Sequence, residues 1–448
     1  MLRFFLSKDG VAAARLPFWP LIAPLLAFAG VISFRQTTSL DIWWHLKTGE
    51  WIWQQHRIPR IDPFSFTAAG KPWIAHEWLF GLVAFLIHRT SGLAGLIGAK
   101  ALIVAAAVAL APWAARSRGA TAGMTLLVLT ASYAIARLRL AERSELISLL
   151  LAIAFLLVHE KSKDRRPLLL LLPALQLLWV NIHGGTALLG WFLAGGFLLD
   201  HARKLGRRGS SWLRILLRKE LSWNVRTFVG VVAVSFVNPN TIQTLGYGLL
   251  RSESPLNNEE FQSLSRSFGR GLELAMAVFV VYAALMALLF VLRPRGVRIY
   301  EWLPLPSLVI VSVLFFRFRI LFAFLLAPSL AWHLSQGKLL SRIRWWLPAL
   351  VSLALLFQIA NFERNSFTYR FGAGAHTGIF PVGAVEFVKR SGLSARRNPR
   401  PLSWGPPAST RGPQVVKRTC RQIMGWAILQ NVFSFSKQTL SRRDIAEH

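Results

Sequence analysis

The chain has 448 residues, of which 54% are hydrophobic and 16% charged, and its mean hydropathy is +0.44. Soluble domains carry about 25% charged residues, so this composition excludes an ordinary soluble enzyme and points to an all-α, polytopic membrane protein. The formal charge of +32 is not read as a nucleic-acid signature, because Lys and Arg fall mainly in short connections between apolar runs, where they mark topology. A single cysteine, Cys420, allows no internal disulfide and no cysteine zinc cluster.

Taken in chain order, a short N-terminus (1–16) with Arg3, Lys8 and Arg15 precedes a first apolar run, read as an uncleaved span. Apolar segments long enough to approach a bilayer crossing then recur at 17–34, 79–93, 95–114, 120–136, 146–159, 167–181, 186–200, 225–237, 272–292, 303–316, 319–333 and 346–361. The basic connections at Arg116/Arg118, 161–166, 203–219, 293–298 and 338–344 are expected on the cytoplasmic side. That places His183, the 238–271 loop and everything beyond 362 outside. Counting back, twelve crossings leave the N-terminus on the wrong side. Either a crossing is added or one neighbour between 79 and 114 does not cross, which gives an expectation of about 12–13 transmembrane helices.

Between the first two spans lies a long polar and aromatic stretch, 35–78, expected as an outer loop carrying short interfacial helices. The 203–219 connection holds seven basic residues among Trp212, Leu213, Ile215, Leu216 and Leu217, a composition suited to an amphipathic helix on an anionic leaflet. An outer segment spans 362–392. The tail at 393–448 carries ten Lys and Arg against Asp444 and Glu447. It lacks apolar periodicity and reads as disordered or frameshifted.

Aspartates are few: 9, 41, 62, 164, 200 and 444. Only Asp41, Asp62 and Asp444 fall on expected outer surfaces, which directs attention to the 35–78 loop. Asp41 and His45 are one helical turn apart on one face, able to act as carboxylate base with an oriented imidazole, or as two metal ligands. An aspartate at a helix start is also a favoured N-cap, and the two roles are compatible. Asp62 lies between prolines in Pro59-Arg60-Ile61-Asp62-Pro63, where a turn is expected. His76 and Glu77 precede the second span without the second histidine of a His-Glu-x-x-His zinc site, so they read as supporting groups or direct participants. Asn181 and His183 end a span and either line a polar cavity or satisfy a helix end. Arg137, Arg139 and Arg143 sit on the expected outer side and are candidates for pairing with a lipid phosphate, unless the topology there is reversed. Arg319 is expected either to snorkel or to face a polar cavity. No pattern demands a metal or any other cofactor, although a divalent metal is compatible with the loop.

The composite Asp41-x-Trp-Trp-His45-x-x-x-Gly49, Ile58-Pro-Arg-x-Asp62-Pro-Phe-Ser-Phe-Thr and Lys71-Pro-Trp-x-x-His76-Glu77-Trp78, with Trp179-x-Asn181-x-His183-Gly-Gly and Pro381-x-Gly-Ala-x-Glu386-Phe, resembles uncharacterised bacterial membrane proteins of the GT-C superfamily. These are similar to dolichyl-phosphate-mannose protein mannosyltransferases. The resemblance covers about residues 15–392. It departs after Trp404-Gly405, where Pro-Pro replaces the expected continuation. It implies a GT-C-like fold in the bacterial inner membrane and an inverting glycosyltransferase with Asp41 as base. The implied partners are membrane lipids, a polyprenyl-phosphate sugar donor and an acceptor of unknown class on the outer face, with no nucleic acid. The competing readings are a polytopic transporter or lipid-handling protein and a non-catalytic GT-C relative.

Overall fold

The computed structural model describes residues 18–64, 70–206, 219–250, 273–292, 298–302, 312–313, 318–336 and 346–380. Among these residues the regular structure is helical, with isolated bridges in place of strands. The helices are α1 (Phe18–Ser33), α2 (Asp41–Gln55), α3 (Trp78–Ser117), α4 (Ala122–Ala136), α5 (Ser144–Lys161), α6 (Leu171–Ile182), α7 (Leu188–Gly206), α8 (Lys219–Val234), α9 (Ile242–Leu250), α10 (Glu273–Leu292), α11 (Ile299–Trp302), α12 (Arg319–Ser335) and α13 (Trp346–Asn365). Three of them, α3, α10 and α13, are long and apolar enough to cross a membrane. The apolar runs in α1, α4, α6, α8 and α12 are shorter, at 10–17 residues.

Most predicted spans fall on observed helices. The expected pair 79–93 and 95–114 corresponds to the two helical halves of α3, separated at Gly92, whose φ of 61° and ψ of −158° interrupt the helix. A side chain is strained in that backbone region, so glycine sets the break. The sequence missed α9, which lies inside the expected 238–271 loop. Most of the 303–316 span, most of the basic 203–219 connection, the segment from 381 and the 393–448 tail lie outside the described residues.

The main core is built around α4 and α12. α4 buries residues on every side, and α12 buries nearly all of Arg319–Leu334, so these two helices occupy the interior while their neighbours keep exposed faces. A second apolar cluster joins α2 to the first half of α3: Ile42, Trp43 and Leu46 pack with Phe80, Ala84 and Phe85, together with Leu96, Ile182 and Phe380. The crossing is close because both surfaces are glycine. A Cβ on Gly49 would stand 2.1 Å from the Gly81 carbonyl oxygen, and one on Gly81 would stand 2.9 Å from that of His45. This approach carries the polar face of α2 to the beginning of α3.

Candidate functional site

The chain brings its polar residues together at one end of the bundle, where α2, α3 and α5 begin and where α4, α6 and α13 finish. Asp41 is the first residue of α2 rather than its cap: Leu40 holds the cap position and no side chain caps the helix there. The expected capping role is therefore corrected. The Asp41 side chain is about half exposed, and its Oδ2 lies 2.9 Å from Arg143 Nη2. Arg143 is the residue that enters α5, so the base candidate and one phosphate-binding candidate meet across two elements.

One turn along α2, His45 turns inward. Its ring packs edge-on against Phe80 at 4.8 Å, and its Nε2 is 3.8 Å from Glu77 Oε2. Glu77 is a hub. His76 Nε2 approaches the same carboxylate at 3.6 Å, His183 Nε2 reaches it at 3.5 Å, and the Ser144 hydroxyl donates to Oε1. Burial pushes the Glu77 carboxyl up, but the three imidazoles and the serine outweigh it and hold it well below the usual carboxylate range. His45 is moved the other way from an ordinary ion-paired histidine. Burial lowers it more than Glu77 and Asp41 raise it, which favours the neutral ring.

The far nitrogens of His183 and His76 are also engaged. His183 Nδ1 lies 2.7 Å from Ser148 Oγ and 3.1 Å from Thr186 Oγ1, both of which also accept the Trp179 indole N–H. His76 Nδ1 is 3.3 Å from the Ile74 carbonyl oxygen, and its ring stacks on Tyr247 of α9 at 3.9 Å. A carbonyl can only accept, so this contact assigns a proton to His76 Nδ1. α9 is seated by Gly184, where a Cβ would meet Thr244 Cγ2 at 1.9 Å.

Asn181 ties this end together. Its Oδ1 accepts the Trp78 indole N–H at 3.0 Å, while its Nδ2 donates to the Leu177 and Val237 carbonyls at 2.9 Å. The buried amide is thus satisfied by α3, α6 and the end of α8. Asp62 closes the expected turn, accepting from Phe64 N at 2.8 Å, beside the Ile61–Pro72 bridge.

The remaining arginine candidates meet the protein itself. Arg137 is buried, with Nη1 2.6 Å from Glu363 Oε1, and it lies over the Phe362 ring. Arg139 Nη2 is 2.6 Å from Glu145 Oε2. Arg319 does not snorkel: it is buried at the start of α12, with Nε donating to the Ser312 carbonyl at 2.8 Å and Nη1 2.9 Å from Met276 Sδ. A further clamp holds the segment after α13 to the one after α1. Lys100 Nζ is 2.6 Å from Glu142 Oε1, Thr37 Oγ1 donates to Glu142 Oε2 at 2.7 Å, and bridges pair Arg35 with Phe371 and Thr37 with Ala375.

The structure therefore brings together Asp41, His45, His76, Glu77, Asn181, His183 and Arg143. It assigns Asp62 to the loop scaffold and Arg319 to the interior. Sequence reading missed Glu142, Glu145, Glu363, Ser144, Ser148, Thr186 and Tyr247. Acidic residues number only 20 in the whole chain, and enumerating glutamates as well as aspartates would have flagged the first three. Among the described residues, no group of three or more His, Cys, Asp or Glu side chains is arranged to hold a metal ion. Comparison with protein families, curated proteins and solved structures found no match to the chain.

Proposed function

We propose that the chain is a multi-pass inner-membrane glycosyltransferase of GT-C type that moves a sugar from a polyprenyl-phosphate donor to an acceptor hydroxyl at the outer face. The observation that carries this reading is the half-exposed Asp41 carboxylate beside Arg143, backed by His45 and the buried Glu77 hub. Asp41 takes the acceptor proton as the acceptor oxygen attacks the anomeric carbon from the face opposite the phosphate, so the configuration inverts. The bond from that carbon to the phosphate oxygen breaks, and the lipid phosphate leaves with the electron pair. Arg143 is the best placed of the arginine candidates to meet that phosphate. Arg137 and Arg139 already serve buried glutamates, and Arg319 is buried and donates to the Ser312 carbonyl. Fixed positive charge beside a leaving phosphate stabilises the charge that develops in the transition state.

The test is incubation of the purified protein in lipid nanodiscs with a panel of labelled polyprenyl-phosphate sugars and membrane-extract acceptors. The native chain is expected to release lipid phosphate and label an acceptor. Movement of the lipid across liposomes without turnover would favour a transporter instead.

A further inference from the structure

The two halves of α3 stand differently to a bilayer. The second half runs antiparallel to α1: at one end Lys100 Nζ donates to the Arg35 carbonyl at 3.0 Å, and at the other Trp113 meets Trp19 at 5.6 Å and Arg116 lies over the Phe18 ring. These contacts set one crossing between Lys100 and the basic end at Arg116 and Arg118, the end expected in the cytoplasm. Residues 93–99 continue the same helix beyond Lys100 and project from the opposite, outer end. The first half then turns back. Glu77 meets Ser144 while Lys100 meets Glu142, and two residues of chain hold the Cα atoms of those partners within about 7 Å. An unbroken helix would separate residues 77 and 100 by about 35 Å; the bend at Gly92 removes the difference. With its start near the level of Lys100 and its end beyond it, the first half of α3 does not cross. α2 packs along it through Gly49 and Gly81 and stays outside with it. Removing that crossing from the sequence count returns the N-terminus to the cytoplasmic side.

The surface of this outer unit is aromatic and basic. Val83 and Trp53 are exposed. Arg89 lies over the Trp53 ring and Arg57 over the Trp51 ring, each 5.4 Å from the centroid, and Arg60 and Lys71 are exposed on the loop between the helices. The nearby carboxylates are engaged, Glu50 with Lys47 and Asp62 in its own turn. Among the described residues no ion pair joins Arg57, Arg60, Lys71 or Arg89 to a carboxylate. Indole rings favour headgroup depth, and a guanidinium or ammonium on an apolar stem reaches lipid phosphates from there. We propose that α2 and the first half of α3 form a membrane-parallel unit on the outer leaflet, and that Arg57, Lys71 and Arg89 bind the phosphates of anionic phospholipid headgroups. The proposal shares with the proposed function only the orientation of the bundle and uses no step of the reaction. In that seat Asp41 and His45 stay at headgroup depth, the level at which a lipid-linked phosphate lies.

Three measurements test the seat. With Cys420→Ser as background, a spin label on Val83→Cys in nanodiscs should report headgroup depth by power saturation, and one on Leu102→Cys, exposed on the second half of α3, should lie deeper. A Val83→Cys label at the bilayer centre or in bulk water would overturn the placement. In nanodiscs of equal phosphatidylglycerol and phosphatidylcholine, native mass spectrometry of the extracted protein should show about fivefold preferential retention of phosphatidylglycerol. The triple substitution Arg57→Gln, Lys71→Gln and Arg89→Gln should lose most of that preference while keeping the native unfolding temperature in phosphatidylcholine alone. Equal retention of the two lipids by the native chain, or an undiminished preference in the triple variant, would overturn the lipid assignment. Finally, Lys71→Cys in the same background should react with a membrane-impermeant maleimide in intact spheroplasts of the expressing bacterium. Labelling only after lysis would overturn the outer placement. A failed transfer assay would reject the proposed reaction and alter none of these three results.

Discussion

Helix α5 joins two polar centres of opposite kind. Its first residue, Ser144, belongs to the Glu77 hub, and Glu160 lies about 24 Å along it at a rise of about 1.5 Å per residue. At that far end Glu160 meets Arg298, Lys163 and the Tyr300 hydroxyl, Glu301 meets Arg118, and Asp200 accepts from Ile299 N. Each of these carboxylates faces at least one group that keeps a fixed charge or a fixed proton across the physiological range. They fasten α11 to α5, α7 and the end of α3. Glu77, in contrast, faces imidazoles and a hydroxyl. The same residue type is a rivet at one end and a titratable centre at the other, and only its neighbours make the difference.

The far end breaks hardest. The Arg118 and Glu301 side chains are both buried, so Glu301→Ala leaves a guanidinium without its anion and should cost about 3–5 kcal/mol, read as a fall in thermal unfolding temperature in detergent. A silent Glu301→Ala would erase the contrast between the ends. Gly49→Ala should come next. The added methyl meets the Gly81 backbone, and overpacking of this kind costs about 1–3 kcal/mol. It also draws His45 away from Glu77, so turnover should fall further than stability.

The pH response of the two ends should differ as well. Glu77 lies below and His45 below their unfolded values, so in both cases the unfolded chain binds protons that the folded chain does not. Their stabilisation is complete above about pH 6.5, the ordinary histidine value. It is lost as pH falls, first through the histidine and then through the carboxylate. Unfolding temperature should therefore drop on acidification from about pH 7 to 4, and the paired substitution Glu77→Gln with His45→Phe should flatten that slope. An unchanged slope would remove the hub from the pH response. The smallest effect is expected at Lys47 and Glu50, a partly exposed pair three residues apart on α2, where Lys47→Ala should change stability by less than about 1 kcal/mol.

The features legible in the sequence are local ones. Apolar runs located the helices, the break at Gly92 lies within two residues of the expected boundary at 94, and the one-turn spacing put Asp41 and His45 on one helix. The turn at Asp62 followed from its prolines. What could not be read locally were partners far apart along the chain: Arg137 with Glu363, Lys100 with Glu142, and Glu77 with His183. No periodicity encodes such pairs; they exist only once the helices pack. The same limit explains the arginines. Their charge was visible and suggested a lipid phosphate, whereas the glutamates that meet Arg137 and Arg139 come from α13 and α5.

The central claim concerns Asp41. In nanodiscs containing the labelled donor, Asp41→Asn should show no transfer above background while retaining native insertion and a native unfolding temperature. Transfer at the native rate by Asp41→Asn would contradict it.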